Sequence, residues 1–495
     1  MKIRATILAG VLGLPLLAGA SLAAETADRA LVDAAKQGDK TAVQALLNAG
    51  KNANVAQADG TTALFWAASR NDVPLVEMLL RARADANAKN DYGATPLYVA
   101  ATNADEAVVT RLLDAKADPN AALLSGETPL MEAARRGKTA VVRLLLARGA
   151  NPNARESNGG QTALMWAISE RHSPVVDELV RRGADIHARS MSGSTALMFA
   201  AQQGDAESAR ILLAAGARVN ETAAQGGFTP LIIASAMGHE AVAVQLLEKG
   251  ADPDAVDRNG FSSLHRAARD KTAVGLVKAL LKHGADPNVR LNQARTASAA
   301  DNGGNPLRQA TGAMAVADSG VALQGATPLL LAAEINNYDA VVALADAGAD
   351  PLIGTAQNTT PLILAAGGGT DLARPRSPEE RATAARTVAL LVERGADVNA
   401  AGQFGWTALH AAAYQGLDDV IAHLAGKGAK LDAQDGFGQT ALSISLSVIT
   451  EGIGAAYYQT PRIYRKETAD LLLKLGATPL ERSGVKVGIT QRPAP

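Results

Sequence analysis

A threonine recurs along the chain at Thr62, Thr95, Thr128, Thr162, Thr195 and Thr229, and then as Ser262, in steps of 33 or 34 residues. A unit of that length cannot bury its own apolar face, so each copy must pack against neighbours of the same kind. The clearest copy is Ser194–Asn220. Thr195 is placed to accept a free backbone N–H in the first turn of a helix. Leu197, Ala200 and Ala201 follow at helical spacing and make one narrow apolar face. Gln202-Gln203-Gly204-Asp205 breaks that pattern. A second helix through Ala209, Ile211, Leu212 and Leu213 ends at Gly216, the residue type that takes the left-handed conformation at a helix C-terminus. The spacing therefore predicts a hairpin of two short helices.

The series resumes at Thr327, Thr360, Thr407 and Thr440, and a degenerate first copy, Leu31-Val32-Asp33-Ala34-Ala35, lies one period before Leu64-Phe65-Trp66-Ala67-Ala68. This gives about twelve units. Composition agrees, since only 3% of residues are aromatic, which suits thin layers packed on alanine and leucine. The net charge of -1 provides no field to draw nucleic acid, and no nucleic-acid partner is expected.

These residues resemble the ankyrin repeat, through Thr95-Pro96-Leu97, Thr128-Pro129-Leu130, Thr229-Pro230-Leu231 and Thr327-Pro328-Leu329, and through Gly149-Ala150-Asn151-Pro152-Asn153, Gly284-Ala285-Asp286-Pro287-Asn288 and Gly395-Ala396-Asp397-Val398-Asn399. The resemblance runs from about Thr26 to Ala477. It implies an all-α repeat solenoid, helix-turn-helix plus a hairpin finger, stacked into a curved, elongated array that binds other proteins. The family's signature histidine stands only at His265 and His410, with Phe65, Tyr98, Met131, Met165, Met198 and Ile232 elsewhere. The resemblance implies that this histidine ties neighbouring repeats by hydrogen bonds.

Lys2 and Arg4 precede an uncharged run from Ala5 to Ala24, with the small residues Ser21-Leu22-Ala23 near its end, so residues 1–23 read as a secretory signal peptide. No cysteine occurs, which removes disulfide and thiolate chemistry. The expectation is a monomer, periplasmic or secreted, with no membrane insertion once the signal is removed. The organisation expected is an N-terminal repeat block over 26–290, a flexible insert over 291–323 rich in Ala, Asn, Gly, Gln and Ser, a C-terminal block over 324–477, and a tail over 478–495. Within the second block, loop inserts are expected near 367–381 and 449–465, because the helices there are 14 or 15 residues further apart than in the regular unit.

No nucleophile elbow or phosphate-binding glycine loop stands out, the seven histidines lack metal-ligand spacing, and no catalytic residue, metal ligand or cofactor site is assigned. Partner contacts are sought instead at finger tips and on the inner helix face. Trp66, Trp166 and Phe199 hold the place of a packing leucine and read as core. Phe404, Trp406, Tyr414 and Phe437 come from adjacent layers and read as one apolar patch; interfaces are enriched in such residues. The inserts add Arg374, Arg376, Tyr457, Tyr458, Arg462 and Tyr464 as a basic, tyrosine-bearing rim. A weaker candidate is the polar stripe Arg135-Arg136 with Arg70 and Lys138. The leading expectation is an exported, non-catalytic scaffold for a protein partner. Its alternatives are a secreted effector that binds a host protein and an accessory subunit of an envelope enzyme.

Overall fold

The computed structural model describes residues 29–103, 106–291, 323–368, 376–447 and 464–481. The expected signal peptide, the interior of the 291–323 insert, nearly all of the 449–465 insert and the tail beyond Glu481 lie outside them.

Each recurring threonine opens a helix, as its chemistry predicts. The Oγ1 atoms of Thr62, Thr95, Thr128 and Thr229 accept the backbone N–H three residues on at 3.3, 3.1, 3.3 and 3.2 Å. A capping hydroxyl of this kind stabilises a helix by ~1 kcal/mol. That is substantial where the first helix is only seven residues long, as in Ala63–Ser69 and Pro129–Arg135. Second helices such as Val73–Arg81 and Thr139–Ala147 have nine.

The described residues sort into two compact units, one reaching Gln203 together with Ala214–Ala217, the other Gly204–Leu213 with everything from Arg218. In the first unit, Ala63–Ser69, Pro96–Asn103, Pro129–Arg135, Ala163–Ser169 and Ala196–Gln203 stack side by side, each on the next. Leu64, Leu97, Leu130, Leu164 and Leu197 are buried at the same place in successive layers, followed by buried alanine pairs that let the helices approach closely, save in the Leu164 layer, where Ile168 replaces the second alanine. Each such leucine contributes roughly 1.5–3 kcal/mol of burial.

A second tie runs along the loops that follow the second helices. Asn87 donates Nδ2–H to the Lys116 carbonyl at 3.0 Å and accepts the Asp118 N–H at 2.7 Å; Asn54, Asn120 and Asn153 repeat both bonds with their own following layers. In the second unit Asn220, Asn288 and Asn399 do the same. The finger between helix pairs is shorter than a strand pair. Among the described residues no strand or sheet forms, only isolated antiparallel bridges such as Ala56 with Thr62 and Val256 with Ser262. Neighbouring fingers share a backbone hydrogen bond, for example Leu124 N–H to the Tyr92 carbonyl at 3.0 Å. Gly93 is required there: its φ is +80° and a Cβ would stand 3.1 Å from the Ala122 carbonyl oxygen and the Leu124 nitrogen.

In the second unit the first helices Pro230–Ala236, Ser263–Ala268 and Pro328–Glu334 stack directly, although residues 292–322 intervene between the last two. The two ends of that excursion meet on a finger. Leu291 donates to the Ala326 carbonyl at 3.0 Å, Gly325 donates to Leu291 at 2.8 Å, and Leu291 and Leu323 bury against Leu330, Leu331, Leu364 and Phe261. Asn288 carries its side-chain tie across the excursion to Gly348 and Asp350.

The stretch expected as a loop near 367–381 is partly helical. Pro361–Ile363 runs into a π turn over Leu364–Gly368, in which Gly367 has φ +108°, and the second helix then begins at Pro378 and extends to Glu393, sixteen residues instead of nine. Ser377-Pro378-Glu379-Glu380 explains the early start. Ser377 Oγ accepts the Glu380 N–H at 3.1 Å and the Glu380 carboxylate accepts the Ser377 N–H at 2.7 Å, a reciprocal capping box with proline at the first helical position.

Candidate protein-binding face

Of the aromatic residues singled out in the second unit, Tyr414 lies in the helix Ala408–Gln415 and Trp406 just precedes it. Its histidine, His410, is buried. Its Nδ1 accepts the Thr407 N–H at 3.1 Å, while Nε2 lies 3.1 Å from the carbonyls of Ala433 and Gln439. Two carbonyls need an N–H, so the ring is the neutral Nε2–H tautomer. Burial holds its pKa below the ordinary value, against the pull of Asp435 and of the two carbonyls. The inter-repeat tie that the resemblance implies is present here, and again at His265, whose Nε2 reaches the Ala326 carbonyl at 3.2 Å.

Trp406 stacks on His410 with ring centroids 5.5 Å apart, and Tyr414 leans on Trp406 at 6.4 Å. Phe404 and Phe437, on consecutive fingers, pair at 5.5 Å. Phe404 is 55% exposed and adopts φ +57°. A left-handed conformation costs a bulky L-residue roughly 1–2 kcal/mol. In the next finger Asp435 Oδ1 accepts the N–H groups of Phe437 and Gln439, both at 2.8 Å, but Gly402 has no side chain to hold its turn in that way, and Gln403–Gly405 winds into a 3₁₀ turn.

Of the residues expected to form a basic rim, Tyr464 and Arg376 are described. Tyr464 is 55% exposed, and next to it Arg465, which the sequence reading did not single out, donates Nε–H to the Tyr414 carbonyl at 2.8 Å. Its guanidinium covers Gly416, where a Cβ would be 2.6 Å from Nη1. Arg376 lies against Gly367, its Nη2 3.5 Å from where a Cβ would be. Arg374, Arg462, Tyr457 and Tyr458 fall outside the described residues.

One expectation for the first unit needs correction. Trp66, Trp166 and Phe199 are half-buried, not core. Lys36 lies 4.8 Å over the Trp66 ring, and the Arg135 guanidinium 5.7 Å from that of Trp166. In the polar stripe, the Arg135 and Arg136 guanidinium groups both pair with the buried Glu132 carboxylate, at 2.7 and 3.0 Å.

Three charged residues went unnoticed in the sequence. Arg266 is buried in the second unit between the rings of Phe228 and Phe261, 5.9 and 5.4 Å from their centroids, and pairs with the equally buried Asp257. Asp435 stands at the same finger position as Asp257. The available signal was the register: both lie five residues before the Ser262 or Thr440 that opens the helix.

Stacked helix pairs with tied fingers and an aromatic rim define a repeat protein built for surface recognition. The family description Ankyrin repeats (3 copies) matches residues 31–123, 109–190 and 197–291, and Ankyrin repeat matches 324–356 and 404–436. The chain belongs to the ankyrin-repeat family. It is similar to Neurogenic locus notch homolog protein 1 of Xenopus laevis, 32% identical over 234 residues, 44% of this chain and 8% of that protein. It is also similar to Ankyrin repeat and SOCS box protein 16 of Homo sapiens, 32% identical over 45% of this chain and 48% of that protein. Ankyrin repeat and SOCS box protein 3 of Bos taurus is 36% identical over 43% of this chain and 33% of its own length. The chain thus spans less than half of each of these relatives.

Proposed function

We propose that this chain is an exported, non-catalytic scaffold, monomeric by itself, that holds a protein partner on the finger side of its second unit. The face comprises Phe404, Phe437, Trp406 and Tyr414 with Tyr464, Arg465 and Arg376 beside it. The observation that carries the reading is Phe404, an aromatic ring more than half exposed on a strained left-handed backbone. Strain of this kind persists only where the surroundings impose it, and it gathers at binding sites. Export rests on the N-terminal sequence, and the protein-binding role is supported by family membership.

The test is capture of envelope proteins by the mature chain and by Phe404→Asn. Asparagine tolerates the left-handed region, so the finger keeps its turn while losing its ring. Loss of a specific partner with unchanged helicity supports the assignment; an identical set of captured proteins refutes it. Sequencing the mature N-terminus tests export separately, since a start near Ala24 requires cleavage of the expected signal.

A further inference from the structure

Arg266 shows what a finger aspartate in this chain holds. Asp257 Oδ1 accepts the N–H groups of Asn259 and Phe261 at 2.8 and 3.0 Å and so closes its finger turn, leaving Oδ2 to bind the Arg266 guanidinium. Phe228 of the preceding finger and Phe261 of the same finger cover the guanidinium faces. Both charged side chains are 1% exposed or less.

Asp435 repeats the first half of this arrangement without the second. Its Oδ1 closes the turn through Phe437 and Gln439, and the residue is 6% exposed, yet Oδ2 is buried with no hydrogen-bond partner among the described residues. The helix position that Arg266 fills is here Ile444, at the margin of burial. Trp406, half-buried, takes the place of Phe228 on the preceding finger, and Gln439 takes that of Phe261. Glu156, the comparable carboxylate of the first unit, spends both oxygens on the N–H groups of Asn158, Gly159 and Gln161, so an idle oxygen is not a property of finger carboxylates in general.

We infer that the unpartnered Oδ2 of Asp435, with Trp406 in the register of Phe228, is a receptor for a guanidinium group, supplied by an arginine side chain of the bound protein. A buried carboxylate oxygen without a donor is costly, and a cation that is both paired and stacked on an indole removes that cost. Arginine fits better than lysine because its planar head can donate to Oδ2 while lying flat on the Trp406 ring. The inference rests on the second-unit face being the partner surface, and it adds the chemistry that the partner brings.

The test uses the full chain with Trp66→Phe and Trp166→Phe, which leaves Trp406 as the sole tryptophan, titrated by fluorescence with acetyl-Gly-Arg-Gly-amide and its lysine and citrulline counterparts. The expected result is a saturable change with the arginine peptide, several-fold weaker binding of the lysine peptide and none of the citrulline peptide. Asp435→Asn keeps the Oδ1 acceptor and hence the turn, and should weaken the arginine peptide at least tenfold. Ile444→Arg places a guanidinium in the register of Arg266, and should abolish peptide binding while raising Tm. Equal binding of arginine and citrulline peptides, or no effect of Asp435→Asn at unchanged helicity, overturns the inference. Replacing Arg462 and Arg492 by glutamine separates sources: unchanged affinity supports an arginine from the partner, whereas a several-fold gain means that the chain's own arginine occupies the site and overturns the partner assignment. If Phe404→Asn loses the captured protein and Asp435→Asn retains it, the proposed function stands and the guanidinium receptor falls.

Discussion

His265 makes acid stability a test of the structure. Its Nδ1 accepts the Ser262 N–H at 3.2 Å and its Nε2 faces the Ala326 carbonyl at 3.2 Å, so protonation would set one N–H against another inside a dry layer. Burial, reinforced by the neighbouring Arg266 charge and opposed by the bonds to the carbonyls of Ala326 and Val289, lowers its pKa from 6.5 to about 4. The unfolded chain therefore binds a proton that the folded chain refuses between these two values. The contribution of neutral His265 is fully present above the unfolded pKa of 6.5, shrinks as pH falls below it, and is exhausted below the folded value of about 4. The full difference corresponds to about 3 kcal/mol, of which about 2 kcal/mol is lost by about pH 5. His410 acts in the same direction.

The assay compares urea unfolding of the wild type and His265→Met, methionine being the residue that Met131, Met165 and Met198 place at this position. Methionine does not titrate, so the stability difference between the two proteins should move in favour of the variant by about 2 kcal/mol between about pH 7.5 and pH 5. Imidazole carbon-proton NMR gives the site directly. A His265 that titrates near the ordinary histidine value in the folded chain, or a difference independent of pH, refutes the buried neutral assignment.

Other substitutions probe the ties between layers. Asp254 occupies an asparagine position and accepts the Asp286 N–H at 2.8 Å, but it has no amide to offer the Gly284 carbonyl, so Asp254→Asn should raise stability by about 0.5–1 kcal/mol, read as a higher Tm. Asp257→Ala strands the Arg266 charge and opens the finger turn, and should cost about 3–5 kcal/mol in chemical denaturation, with Arg266→Met added to it restoring a large part. Gly93→Ala, which combines φ +80° with a Cβ 3.1 Å from backbone atoms of the next finger, should destabilise the first unit by more than ~1 kcal/mol, visible as faster amide exchange at Leu124.

The repeat was legible because its signals are local. A capping threonine, an alanine pair and a left-handed glycine are each decided within a few residues, and they recur often enough to fix the layer. The aromatic pairs Phe404–Phe437 and Trp406–Tyr414 involve residues that stood out for a related reason, since fingers do not need aromatics and Phe404, Trp406 and Phe437 break the composition of their neighbours. What escaped depends on partners one layer away. Trp166 reads as a packing residue but is half-buried with Arg135 over its ring, and the Glu132 carboxylate that joins Arg135 and Arg136 is visible only in the structure. Asp257 and Asp435 hold the same place, five residues before the Ser262 or Thr440 that opens the helix, and the helix residue in register with them, arginine or isoleucine, separates a paired charge from one without a partner among the described residues. The helix from Pro378 was recoverable, because Ser-Pro-Glu-Glu is a strong start signal that the count of extra residues overshadowed.

The stem formed by Leu291 with Gly325 and Ala326 also makes this chain a carrier. Both ends of residues 292–322 leave one finger tip side by side, and the layers on either side remain joined through His265 and Asn288 whatever lies between. Closing a flexible segment costs only about 0.6 kcal/mol more for each doubling of its length, so a whole foreign domain with adjacent termini could replace those residues with little strain on the array. Such a graft would be displayed at a fixed point along the array, two layers before Phe404.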